Sequence, residues 1–269
     1  MKNPLHKRLP RELKSEFGKY AVVFFLMVAT IGFVSGFLVA DNSMLIAYNE
    51  SFEKYNIEDG NFRTADRIYR SQREDIENLG IRLYENYYIE EELDNGSTMR
   101  FFKNREEMNK VCLMEGTFPE HTGEIAIDRM YADNNQLSVG DTLTSKDKSW
   151  EITGLVALSD YSCLFQNNND SMFDSVKFGV SVVTAEEFDS LNQDKLQYNY
   201  SWKYNQEPSD EKEEKEISED LMEDIGAIVT LETFVPRYTN QAITFTGEDM
   251  GGDKAMMIVL LYMVIAILA

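Results

Sequence analysis

"GEIAIDRMYADNNQLSVGDTL", Gly123 to Leu143, is the stretch on which the reading of this chain turns. Ile125 and Ile127 alternate with Glu124, Ala126 and Asp128, which makes EIAID a strand with one face inward. Arg129 to Gln136 reads as a short helix or turn, and Val139-Gly140-Asp141 reverses the chain into a strand at Thr142 to Thr144. Gly140 suits that reversal because glycine tolerates φ > 0. The stretch also carries Asp128, Asp133 and Asp141. They fall on different elements and lack the Asp-x-Asp-x-Asp-Gly series ending in Glu that an EF-hand needs, so scaffold is preferred to a metal site.

Outward from this stretch, helices and strands alternate. Thr64 is placed to cap a helix from Ala65 to about Asn78, ended by Gly80. Ile81, Leu83, Tyr87 and Ile89 alternate with polar neighbours, and Asp94-Asn95-Gly96 supplies a tight hairpin before Met99 and Phe101. Period two also marks strands at Trp150 to Leu158, at Phe178 to Val182, and at Leu196 to Tyr204. The charged tract after Pro208 becomes a helix with Ile217, Leu221 and Ile225 on one face and Gly226 at its stop, its charges forming a solvated face. The polar run QNNND, Gln166 to Asp170, is read as a surface loop rather than a calcium site.

The two ends are of another kind. Tyr20 to Ala40 contains no charge, and twenty-one helical residues cover roughly 32 Å at ~1.5 Å each, the thickness of a bilayer's hydrocarbon core. A secretory signal competes, but its apolar region is normally shorter, and Leu38 stands where a cleavage site wants a small residue. Before this span, Leu5, Leu9, Leu13 and Phe17 recur every four positions among Lys7, Arg8, Arg11 and Lys14, with Pro10 acceptable in a first turn. That basic amphipathic segment is expected to lie on the inner membrane surface, against anionic lipid. Ala255 to Ala269 is again uncharged and is read as the start of a second span, cut off by the end of the sequence. The expected order is a cytoplasmic segment at 1–19, a transmembrane helix at 20–40, an α+β extracytoplasmic domain at 41–254, and the start of a second helix at 255–269. Basic residues before the first span put the N-terminus in the cytoplasm.

Residues 1–19 carry six cations and two acids and nothing after Lys254 is charged, so of the total of −21 the middle region holds −25. Such a surface repels nucleic acid and anionic headgroups. Cys112 and Cys163 fall in a compartment where they either pair or stay as free thiols. The chain lacks a Gly-x-x-x-x-Gly-Lys-Ser/Thr loop, a Gly-x-Ser-x-Gly elbow and a His-Glu-x-x-His pair. His121 is the one histidine of the middle region, in a turn after Pro119. No catalytic, cofactor-binding or metal-binding residue is assigned, and the chain is expected not to be an enzyme.

The run Leu113 to Val156 resembles the extracytoplasmic core domain of FtsX-like ABC-transporter permeases, the family that includes the MacB macrolide exporter. The residues that carry the resemblance are Glu115, Gly116 and Pro119, then Glu124 and Ile125, then Val139, Gly140 and Asp141, then Ile152 and Gly154. Thr117 and Phe118 depart from the usual pattern. The order of span, core domain and second span also matches, as does the short helix before the first span. The resemblance implies a permease subunit working as a dimer or pseudo-dimer with a separate ATPase, whose extracytoplasmic domain moves in response to nucleotide. Its substrate class, whether peptide, lipoprotein or antibiotic, is left open. A membrane-anchored sensor binding an extracellular ligand such as a cationic peptide is the alternative, and an anchored enzyme the third.

Overall fold

The computed structural model describes residues 11, 14–146 and 148–268. Leu5, Leu9, Pro10 and Leu13 of the expected amphipathic segment lie outside these, while Phe17 is the first residue of helix α1. The chain divides into two compact units, Met1–Tyr48 with Glu248–Ala269, and Asn49–Gly247.

The first unit contains most of α1 (Phe17–Lys54) and of the final helix, α6 (Gln241–Leu268). With 38 residues, α1 is long and apolar enough to cross a membrane, and its large side chains are mostly exposed. Two of its hydroxyls are absorbed within the helix, Thr30 donating to the Leu26 carbonyl and Ser43 to that of Val39.

The second unit is built on two sheets. In the four-stranded sheet, β1 (Gly60–Thr64) lies between β11 (Leu231–Pro236) and β10 (Tyr198–Tyr204), and β2 (Ile81–Glu85) pairs with the far side of β10, all antiparallel. Helices α2 (Arg70–Glu77) and α5 (Glu211–Ile228) pack against each other and on this sheet. Ile76, Leu221 and Ile225 are buried with Phe62, Leu83, Tyr200 and Trp202. Phe62 stacks on Tyr200 at 5.6 Å, and Trp202 on Phe234 at 4.7 Å. Gly60 is required here, since a Cβ would lie 2.2 Å from the Trp202 ring.

The larger sheet runs β3 (Tyr88–Glu92), β4 (Thr98–Lys103), β9 (Phe178–Val183), β6 (Glu124–Asp128), β8 (Lys148–Leu158), β5 (Val111–Gly116), with β7 (Thr142–Ser145) pairing the start of β8. The β4–β9 and β6–β8 pairs are parallel and the rest antiparallel. Helix α3 (Arg129–Asn135) packs on β6, β8 and β9, while α4 (Ala185–Ser190) packs on β4. Strand β6 is therefore buried on both faces, not one as its alternation suggests, because central strands under helices have no wet side.

Several elements differ from their sequence reading. The helix expected from Ala65 begins at Arg70, with Gln72 accepting from the Tyr69 N–H, because Thr64 is still the last residue of β1. Ile81 to Ile89 is two strands in two different sheets, broken at Asn86-Tyr87. The helix expected to stop at Gly226 continues to Ile228. Leu196 lies outside β10, at the end of a short 3-10 turn, Gln193–Lys195. The hairpin at Asp94-Asn95-Gly96 joins β3 to β4 as expected, with Gly96 at φ +77°. Gly140 has φ +94° in the turn before β7.

Candidate functional site

The alternation along β10 places Tyr198, Tyr200, Trp202 and Tyr204 on one face and Asn199, Ser201 and Lys203 on the other. The aromatic face meets the helices. The polar face is covered too, Ser201 completely, by the segment that follows α1 and by loops of the larger sheet. Here six side chains close a hydrogen-bonded ring. Arg105 forks onto Asp160 at 2.7 and 2.8 Å and also donates to Asn86 at 3.0 Å. Asn86 donates to Ser201 at 3.1 Å, and Ser201 donates to Glu58. Asn109 donates to Glu58 at 2.7 Å and reaches Asp160 at 3.4 Å. All six are buried or nearly so.

Local backbone geometry puts these groups together. Asn56 and Asn109 both adopt positive φ, 48° and 49°, a conformation Asn tolerates better than most residues. The Asn109 N–H donates to the Asn56 carbonyl, and the Lys110 N–H to that of Tyr55, so residues 55–58 run against the β4–β5 loop. The Asn109 side chain completes the match by accepting from the Glu58 N–H at 2.8 Å.

The electrostatics are lopsided. The ring holds two carboxyls, Glu58 and Asp160, and one guanidinium, and Arg105 is paired with Asp160. Burial first, and then the Asp160 charge, push the Glu58 carboxyl above the usual carboxylate range, against the lowering by Ser201, Asn61 and Asn109. The next residue, Asp59, has the opposite balance: Lys203 at 2.8 Å, Arg237 at 2.7 Å and the Tyr204 N–H at 2.8 Å all donate to it. The Asp59 carbonyl also accepts from the Arg237 N–H. Since Gly60 is paired with Pro236, Asp59 and Arg237 clasp the start of β1 to the end of β11. A cavity of about 420 Å³ opens beside the ring, lined among others by Glu58, Asn61, Arg63, Arg100, Asp160 and Asn240.

The residues weighed in the sequence are elsewhere. Asp128 caps α3, accepting from the N–H groups of Met130 and Tyr131, and burial raises its carboxyl to about 6 despite those bonds. Asp141 accepts from the Ser138 N–H within the turn, and Asp133 is exposed. His121 is exposed beside Glu124, whose carboxyl the Glu120 and His121 N–H groups hold low. Cys112 is half-buried and Cys163 buried, and no disulfide joins the two. In the QNNND loop, Asn168 accepts from the Gln241 N–H at the start of α6. None of the ring residues was singled out by sequence, because each is a lone polar residue on the off-phase of a strand or in a loop.

No protein-family model and no curated protein matches the sequence. The solved structures to which the chain is similar include the following two. One is the periplasmic region of MacB from Actinobacillus actinomycetemcomitans, at 9% identity and TM-score 0.33, covering 62% of this chain and 85% of that one. The other is the extracellular domain of the noncanonic ABC-type transporter YknZ from Gram-positive bacteria, at 13% identity and TM-score 0.32, covering 62% of this chain and 95% of that one.

Proposed function

We propose that this chain belongs to the permease subunit of an ABC transporter of the FtsX/MacB type. Residues 20–40 and 255–269 lie in the membrane, residues 41–254 outside it, and the N-terminus in the cytoplasm. A separate ATPase and a second permease copy or half complete the machine, and ATP hydrolysis moves the extracytoplasmic domain for export or mechanical signalling. The ordered motifs from Glu115 to Gly154 support the family.

The observation that carries the mechanism is the clasp. Within the folded unit, the segment leaving α1 and the segment entering α6 become neighbouring antiparallel strands, β1 and β11, joined by Asp59 and Arg237. A change in the spacing of the two helices is therefore delivered to one strand pair instead of to two distant ends of the domain. The buried ring around Glu58 begins one residue before the clasp and ties the same point to the larger sheet.

The test is to purify the full-length protein from its own cells in lipid nanodiscs. A P-loop ATPase should co-purify, and trapping it with nucleotide should change amide hydrogen exchange in β1 and β11. Purification without an ATPase, or exchange in β1 and β11 indifferent to nucleotide, would refute the reading.

A further inference from the structure

The cavity of about 420 Å³ beside the ring has one wall on each sheet. On the four-stranded sheet that wall is the polar face of β1 and β10, where Asn61 stands opposite Ser201 and Arg63 opposite Asn199. Facing it are Tyr88 of β3, Arg100 and Phe102 of β4, and loop residues between Asp160 and Asn169, with Asn240 just before α6. The charged side chains of this lining are matched within the protein: Arg63 with Glu232, Arg100 with Glu90, Asp160 with Arg105, and Glu58 with the donors of the ring.

Carboxamides are left over. Asn199 makes no side-chain hydrogen bond, Asn240 accepts from the Ala242 N–H and keeps its amide nitrogen unbonded, and Asn61 donates to Glu58 and keeps its oxygen unbonded. Asn199 and Asn240 are only 9% and 7% exposed, yet none of these unbonded atoms is sealed in: each keeps accessible surface, on residues that line the cavity. An unbonded amide at a nine-tenths-buried position is costly, and a ligand that accepts from its nitrogen and donates to its oxygen relieves that cost.

Charge and position decide the kind of ligand. An ionic group entering here has to displace one side of an existing ion pair, and a neutral one does not. A peptide held as an added strand uses the backbone of a sheet edge, whereas Asn61 and Asn199 stand on the face of β1 and β10, both interior strands. A hydroxyl donates and accepts at a single oxygen, so neighbouring hydroxyls on one ring can meet amide donors and acceptors from both walls. The volume falls within the roughly 300–1,000 Å³ of small-molecule sites, and Phe102, Tyr161 and Phe165 add apolar surface for a ring's C–H face. We propose that this cavity binds a neutral sugar unit, with Asn199, Asn240 and Asn61 bonding its hydroxyls. Such binding requires neither the ATPase nor the second copy of the reading above.

The experiment titrates the full chain in phosphatidylcholine nanodiscs with glucose, N-acetylglucosamine and their β-1,4-linked disaccharides, followed by calorimetry and amide hydrogen exchange. Saturable binding of at least one sugar is expected, with protection in β1, β10 and residues 166–169. Asn199→Ala should weaken it by about tenfold, through the loss of one or two hydrogen bonds. The same variant should leave exchange elsewhere in the domain unchanged, because the Asn199 side chain holds nothing within the protein. Asn240→Asp keeps the acceptor for the Ala242 N–H and removes the donor, and should weaken binding in the same sense. No binding across these sugars, binding indifferent to both variants, or tighter binding of glucuronic acid or of a blocked trialanine peptide overturns the proposal.

Discussion

At the scale of single residues, two buried carboxyls give the domain an unusual dependence on pH. Asp128 is raised to about 6 and Glu58 is raised in direction, both chiefly by burial. For an acid raised on folding, the folded state holds its proton to higher pH than the unfolded chain does, so protonation favours the fold. The contribution is full below the unfolded value and declines as pH rises, for Asp128 between 3.8 and about 6. Its size is on the order of 3 kcal/mol, at ~1.4 kcal/mol per pH unit. Urea midpoints of the wild type and of Asp128→Asn, measured from pH 4 to pH 7, should therefore lie close together at pH 4, part in favour of the variant as pH rises to about 6, and hold that gap above it. Glu58→Gln should behave in the same sense. Comparing variant with wild type removes the opposite contributions of Glu124 and Glu187, whose carboxyls are held low. A gap that shrinks with rising pH would show that the hydrogen bonds to these groups outweigh their burial. The sequence placed Asp128 on the polar phase of EIAID, and its cap of α3 and its burial were not read there, because the helix packed over it is fixed by the fold. Glu58 was not singled out either, because nothing local distinguishes a carboxyl that long-range packing will cover from the many that stay in water.

At the scale of elements, what was legible is what repeats. The aromatic phase of β10 and the four-residue spacing in α5 announce themselves because one face of each is apolar over several turns or pleats. Strands β1, β5 and β11 escaped. In GNFRT only Phe62 is a large apolar side chain, and β5 is an edge whose Leu113 and Met114 stay exposed, so neither shows alternation. The motif glycines have a plain structural cause. Gly116 and Gly154 face each other across β5 and β8, Gly116 at φ +72°. A Cβ on Gly154 would lie 2.4 Å from the Thr117 carbonyl oxygen, and one on Gly116 2.2 Å from that of Thr153. Backbone cannot give way as a side chain can. Gly154→Ala should cost about 1–3 kcal/mol by overpacking and free the end of β5, read as a lowered urea midpoint with faster amide exchange at Cys112 to Gly116. An unchanged midpoint would mean that β5 is not held this closely to β8.

At the scale of the molecule, the α+β class was readable, but the division into two sheets was not, because the chain crosses from one sheet to the other at Asn86-Tyr87 within a single alternating run. That run keeps its phase while its partners change, and partner choice is set by contacts far away in sequence. The thiols offer a test of topology. On intact cells, a membrane-impermeant maleimide should label Cys112 without prior reduction, whereas buried Cys163 should need denaturation as well. Labelling of Cys112 only after lysis would place the domain on the other side of the membrane. The pairing of β1 with β11 has one more consequence. Neighbouring strands lie about 4.8 Å apart, and Gly60 sits opposite Pro236. The stretch between them therefore enters and leaves by a single doorway: cut at Asp59 and Arg237, which are also bonded to each other, and spliced into a surface turn of an unrelated host, it needs no linker to bring its ends together.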